Sequence, residues 1–364
     1  MFKNILKEAL FLYFIYGLKS GRGICMIALR LHKPRSLRID EVHKPRINSD
    51  EILVKVVYSG ICGSDLHLYR GALRDRVKYP AILGHELSGV VAEVGERVTW
   101  LREGDKVVVN PVLSCGSCVA CMAGRYNVCL NFKIMGVDMP GAFAEYVKAN
   151  GVKAYRVPEG VSLREAALTE PFSVAMHACR RVGIEPGDVV AIIGQGPIGL
   201  CVTQVAKHYG AFSIIALDVL DERLETAKKL GADEIINPVK IDPVKVAKRL
   251  TSGVGVDKVI EASGSPDALN MAVRMVKPGG RIVVLGLCFR EVKIDTSLMV
   301  FKEVECIGSR VYLDEFSRTL RLFSKGYLKA EPLITHELPL RDGVRAFKML
   351  DERRGNAIKV LLKP

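Results

Sequence analysis

The spacing of apolar residues changes near Gly183. Before it, short β-branched or alternating runs at 26–31, 51–59, 87–94 and 106–109 are punctuated by Gly and Pro. That pattern predicts short strands in a compact, mostly β domain. After it, continuous apolar runs alternate with helical periods. The run 189–193 reads as a strand buried on both faces, followed by a helical period over 197–209 that Gly210 ends. A strand at 213–217, a helix at 221–230 stopped by Gly231, and strands at 258–261 and 281–285 continue the alternation, the last entered through Pro278-Gly279-Gly280. Strand–helix–strand order of this kind predicts a parallel sheet with helices on both faces. Beyond Ser309 the chain mixes helical and short-strand patterns and closes on an apolar run at 358–362.

Composition narrows this picture without redirecting it. At 364 residues, 49% hydrophobic and 26% charged, the chain suits two soluble domains with separate cores. The net charge is +13, but Lys and Arg are interspersed with Asp and Glu, and Trp100 is the single tryptophan. No basic stripe with interleaved aromatics appears, so nucleic acid is not an expected partner; a cation-rich surface suits an anionic cofactor. Residues 1–25 need separate treatment. Lys3 and Lys7 precede an apolar run at 9–18 that is too short to span a bilayer, and no small-residue cleavage site follows. We read them as an N-terminal extension upstream of a start at Met26; a peripheral membrane helix and an export signal are the alternatives.

Ten cysteines carry the first chemical signal. Cys115, Cys118, Cys121 and Cys129 are spaced C-x2-C-x2-C-x7-C in a loop poor in apolar residues. Four thiolates at these intervals suit a closed tetrahedral Zn²⁺ site with a structural role; paired disulfides and an iron–sulfur centre are the competing readings. A second constellation is chemically different. Cys62 lies in Gly60-Ile-Cys62-Gly-Ser64-Asp65-Leu-His67, and Gly84-His85-Glu86 follows about twenty residues later. Thiolate, imidazole and carboxylate together suit a catalytic zinc with an open position, although each residue alone has a mundane reading. Metal-binding thiolates and unpaired thiols point to a reducing compartment, the cytoplasm.

Gly194-Gln-Gly196-Pro197-Ile198-Gly199 directly follows the 189–193 strand and opens the next helix. In that context the glycines serve a tight turn, close approach to a pyrophosphate, and close helix–strand packing. The phosphates would sit at the positive end of the helix. Asp218, 24 positions beyond Gly194, stands where a carboxylate accepts hydrogen bonds from a ribose. That favours NAD over NADP, a preference softened by nearby Arg223. A plain helix cap at Asp218 is the alternative.

With these motifs in place, the chain from Met26 to the C-terminus resembles the zinc-dependent medium-chain alcohol dehydrogenase family. The resemblance rests on GICGSDLH, GHELSGVV, the four-cysteine lobe, TEPFSVAMHA, GQGPIG and the later LGAD. It implies an α/β fold with a GroES-like, mostly-β catalytic domain at 26–177 and a doubly wound Rossmann domain at 178–308. Residues 309–364 then return to complete the first. Two zinc ions per subunit are implied, with Cys62, His85, Glu86 and Glu170 around the catalytic one and Glu170 standing where simple alcohol dehydrogenases have a second cysteine. A Glu-Pro at that place is similar to the sorbitol, butanediol and threonine dehydrogenase branch. The expected reaction moves hydride from a secondary alcohol (a polyol, sugar or vicinal diol) to NAD, giving a ketone. Ser64 is placed to take the hydroxyl proton and His67 to pass it towards solvent, with Asp65 supporting the loop or a zinc ligand. Threonine 3-dehydrogenation is the alternative, and a non-catalytic nucleotide-binding protein a distant one. Arg310 is read as a substrate contact or a domain-interface cation, with Leu68 and Tyr69 along the cleft. A homodimer or homotetramer is expected.

Overall fold

The computed structural model describes residues 25–72 and 76–364, so the readings made of the first 24 residues lie outside it. The predicted strands form at nearly the expected places. The first, Cys25–Lys33, pairs antiparallel with Ser36–His43 and with the short Ala81–Ile82. A seven-stranded sheet is built around Glu51–Gly60, whose neighbours are Glu86–Val94, Tyr146–Asn150 and the C-terminal strand Lys359–Lys363. The tail therefore does join the first sheet, with Ile334–Pro339 parallel to Lys359–Lys363 at the edge.

The second sheet has six parallel strands in the spatial order Glu234–Ile236, Ser213–Leu217, Val189–Ile193, Val256–Glu261, Val276–Val284, Glu305–Gly308. Continuous apolar strands suit burial on both faces, and residues 190–192, 214–217 and 259–260 are fully enclosed. Strand order reverses on either side of Val189–Ile193, which creates a crevice at its carboxyl end.

One expectation needs correcting. Pro278-Gly279-Gly280 was expected to precede a strand beginning at Arg281, yet it lies inside Val276–Val284. The pairing explains this: Val256 faces Val276 while Lys258 faces Arg281, so the Pro-Gly-Gly segment is an excursion within one strand. Gly280 needs its bare Cα there, since a Cβ would come within 2.5 Å of the Val276 side chain.

The helix Thr169–Val182 passes between the two sheets and is nearly all buried. Its Phe172, Met176 and Val182 belong to one apolar cluster with Leu200 and Ile260 of the parallel-sheet region and with Phe316 and Leu361 of the tail. The cleft between the sheets is thus framed by a shared core. Among the described residues, no helix is long and apolar enough to cross a membrane.

Candidate active site and zinc lobe

The register of two antiparallel strands assembles the reactive cluster. Gly60 pairs with Glu86, so the residues just past one strand end and just before the other meet. Cys62 caps the helix Gly63–Tyr69, and His85 immediately precedes the Glu86–Val94 strand. The Cys62 sulfur, a His85 nitrogen and a Glu86 carboxylate oxygen all lie within 4.8 Å of one another. Gly60 is required here: a Cβ would sit 2.2 Å from Glu86 Oε2.

Surrounding residues hold this cluster in place. Asp65 is completely buried; its Oδ2 accepts the Cys62 N–H at 2.9 Å and its Oδ1 lies 3.6 Å from His85 Nδ1. Neither Asp65 Oδ1 nor His85 Nδ1 has a hydrogen-bond partner in this geometry, so this carboxylate–imidazole pair is left a little open. Burial opposes charge on His85, but Asp65, the Cys62 sulfur and Glu170 outweigh it and raise its pKa well above the usual value. Burial pushes Asp65 up, against the pull of His85.

The sequence reading missed one participant. Lys359 of the C-terminal strand is 1% exposed, and its Nζ donates to both Glu86 oxygens at 2.8 and 2.7 Å and to the Ile61 carbonyl at 3.1 Å. The available signal was a lysine inside the apolar run 357–362. Glu170 lines the same cleft but is not among the three donors that meet within 4.8 Å. Burial pushes its carboxyl up to about 7, against His85, and it shares a hydrogen bond with Tyr312, a second residue the sequence reading passed over.

Soft sulfur, borderline imidazole and hard carboxylate in one buried cluster fit a Zn²⁺ ion. The unsatisfied carboxylate–imidazole pair behind His85 fits the outer contact that orients a metal-ligating histidine. In the lobe, the sulfurs of Cys115, Cys118, Cys121 and Cys129 also lie within 4.8 Å of one another. Cys129 Sγ is 3.5 Å from Cys115 Sγ and 3.9 Å from Cys118 Sγ. A tetrahedron with zinc–sulfur bonds of about 2.3 Å has edges of about 3.8 Å, whereas a disulfide needs about 2.05 Å. All four are free thiols. Backbone N–H groups of Cys115 and Asn131 donate to Cys129 Sγ, and those of Ser117 and Cys118 draw the Cys115 thiol down to about 5. Thiolates, and therefore a metal, suit this lobe; the disulfide reading does not.

Ser64 and His67 both line the cleft, a cavity of about 530 Å³. Ser64 Oγ is 3.4 Å from His85 Nε2, and the His67 ring packs edge-on against Phe289 of the opposite wall at 5.0 Å. Burial, then the charge of Arg70, lower the His67 pKa from 6.5. Leu68 also lines the cleft, whereas Tyr69 packs into the core against Phe347. Arg310 and Arg76 face the cleft; Arg76 is held by Asp138, while Arg310 lies over the Phe132 ring at 4.0 Å.

The glycine loop has the geometry a dinucleotide needs. Gly194 has φ +92°, and a Cβ there would press on the Ser263 backbone at 2.8 Å. A Cβ on Gly199 would fall 1.8 Å from the Gly194 carbonyl, while Gly196 faces open space. Gly196, Pro197 and Ile198 line the cleft, at the N-terminus of the helix Pro197–His208. Asp218 proves largely committed to its own loop: Oδ2 accepts the Gln195 N–H at 2.7 Å and Oδ1 the Leu220 N–H at 3.0 Å. Arg223 stands 3.8 Å from that carboxylate and alongside Gly196.

Comparison with known proteins agrees with this geometry. Residues 48–159 match the alcohol dehydrogenase GroES-like domain and residues 197–325 the zinc-binding dehydrogenase domain. The sorbitol dehydrogenase of Bacillus subtilis is 36% identical over 93% of this chain and 97% of its own length. An L-threonine 3-dehydrogenase of Bacillus velezensis is 40% identical over 90% of this chain and 95% of its own. Among solved structures, an alcohol dehydrogenase (RspB) of Escherichia coli CFT073 complexed with NADH superposes with a TM-score of 0.87 at 36% identity, covering 94% of this chain and all of that one. The chain belongs to the zinc-dependent medium-chain alcohol dehydrogenases, oxidoreductases that act on an alcohol CH–OH with a nicotinamide dinucleotide.

Proposed function

We propose that this protein oxidises a secondary alcohol (a polyol, sugar or vicinal diol) to a ketone with NAD. The observation that carries the reading is a single cleft lined by the Cys62–His85–Glu86 donors, the Ser64 and His67 side chains, and the Gly196–Pro197 loop. Cys62, His85 and Glu86 would hold the catalytic zinc, with Glu170 close enough to act through a bridging water. When bound, the metal supplies Lewis acidity that lowers the pKa of a substrate hydroxyl, and the nicotinamide supplies the hydride acceptor. Ser64 takes the hydroxyl proton, and His67, neutral at pH 7 because its pKa is lowered, receives it and hands it to solvent. Asp65 orients His85. Asp218 braces the glycine loop and, with Arg223, meets the adenosine end of the cofactor, the basis for choosing NAD. The 26–177, 178–308 and 309–364 divisions follow the two sheets and the returning tail. Ten unbridged cysteines support a reducing, cytoplasmic setting, with a homodimer or homotetramer as the working form.

A second reading, threonine 3-dehydrogenation, is favoured by Arg310: a cleft cation with no carboxylate partner among the described residues suits a substrate carboxylate. NADH production across sorbitol, other polyols, 2,3-butanediol, threonine and ethanol, before and after chelation, separates the two. Polyols or diols are expected to give the highest kcat/KM, with all activity lost on chelation. Turnover that survives metal removal would overturn the reading, and threonine leading the panel would select the second one.

The proton relay has its own test. His67 accepts a proton only when neutral, and its pKa is lowered from 6.5, so kcat/KM should fall only below that pH. His67→Asn should slow oxidation by about a hundredfold and remove this acid limb, with added imidazole restoring part of the rate. An unchanged limb in the variant would exclude His67 from the relay.

A further inference from the structure

Behind the catalytic cleft, across the segment 308–310, lies a second cavity of about 530 Å³. Its wall carries Arg125, Arg180, Arg181 and Arg310 together with Asn127 and Ser309, and no carboxylate lines it. Two of the four guanidiniums are accounted for. Arg180 is held by Asp314 at 2.6 Å and by Glu315 at 3.1 Å, and Arg181 donates to the Gly308 carbonyl at 3.2 Å. The other two have no hydrogen-bond acceptor among the described residues: Arg125, and Arg310, which rests on the Phe132 ring. Crowded cations of this kind repel one another, and Arg310 is further disfavoured as a cation by burial and by Arg76.

Two enclosed polar atoms on the same wall are also unsatisfied. Asn127 is 4% exposed; its Nδ2 donates to the Arg310 carbonyl at 2.9 Å, but its Oδ1 has no partner. Ser309 Oγ is enclosed and likewise without a partner. Buried polar groups are ordinarily satisfied, so such a pair calls for an occupant. The guanidiniums and the serine hydroxyl offer donors to anionic oxygens, whereas Asn127 Oδ1 requires a donor from the ligand, such as a hydroxyl. The volume is that of a small-molecule site.

We propose that this cavity binds a hydroxylated phosphoester, its phosphate between Arg125 and Arg310 and a hydroxyl on Asn127. Ser309 and Arg310 line both cavities, so occupancy here bears directly on the catalytic cleft. The phosphate belongs either to the far end of the alcohol substrate or to a separate small molecule that tunes the cleft. The binding claim does not depend on which alcohol is oxidised.

The test is calorimetric titration of zinc-loaded enzyme saturated with NADH, so that the cofactor's own phosphate site is filled. Sorbitol 6-phosphate is the probe, with inorganic phosphate as competitor and sorbitol as the uncharged control. Saturable binding is expected, displaced by phosphate and weakened about tenfold or more by Arg125→Ala, while Arg125→Lys keeps part of the affinity. Arg125 lies outside the catalytic cleft, so sorbitol turnover should be unchanged in both variants. Oxidation of the phosphoester by NAD would assign the phosphate to the substrate; a shifted KM for sorbitol without oxidation would assign it to an effector. Absence of saturable binding at millimolar phosphoester would overturn the proposal, as would binding that Arg125→Ala leaves intact.

Discussion

Cys62→Ser or His85→Ala is expected to abolish turnover while leaving NADH affinity within a few-fold of normal. The thiolate and imidazole sit beside Glu86 in one buried cluster, and the glycine loop lies on the opposite wall of the cleft. Removing one donor from a three-donor site costs the metal, and with it several kcal/mol of charge stabilisation, roughly a thousandfold or more in kcat. Elemental analysis gives an independent reading: two zinc ions per subunit in the parent and one in either variant, because the four-cysteine lobe is untouched. Near-normal activity in a variant holding one zinc would eliminate the metal mechanism. Two retained ions with no activity would instead point to misplacement of the ion.

Lys359→Met is expected to lower stability by about 3–5 kcal/mol, the usual cost of leaving a buried charge without its partner. Lys359 Nζ contacts both oxygens of Glu86, and both side chains are sealed from water. Burial opposes charge on Lys359, but Glu86 and Cys62 keep its pKa raised, so the ammonium persists. Chemical denaturation followed by circular dichroism measures the loss. Glu86→Gln combined with Lys359→Met should recover much of the stability, since no buried charge then remains unpaired. Full stability in the single variant would show that the pair contributes nothing to the fold. Because Glu86 is also a candidate ligand, the single variant frees its carboxylate and should tighten zinc retention during chelation.

How far the sequence reached depended on the range of the interaction. Local rules placed the strands: 51–59 and 106–109 were expected, and Glu51–Gly60 and Lys106–Val109 form. The helix 197–209 was expected, and Pro197–His208 forms. The glycine roles were equally legible, because a left-handed turn and a backbone contact at Gly194 and Gly199 tolerate no side chain. The excursion at Pro278-Gly279-Gly280 was misread, since a bulge and a turn share the same residues and differ only in what pairs on either side.

By itself, then, the sequence determined the two chemical constellations, the dinucleotide loop and the sheet each segment builds. All of these follow from residue type and from spacings shorter than a few turns of chain. Tertiary structure alone decided that Lys359 neutralises Glu86 across 273 positions. It also decided that Tyr312 faces Glu170, that Asp218 is spent on its own loop, and that four arginines from distant segments share one cavity. Those contacts depend on which strand ends meet and which charges are sealed from water together, quantities set by packing and not by local propensity.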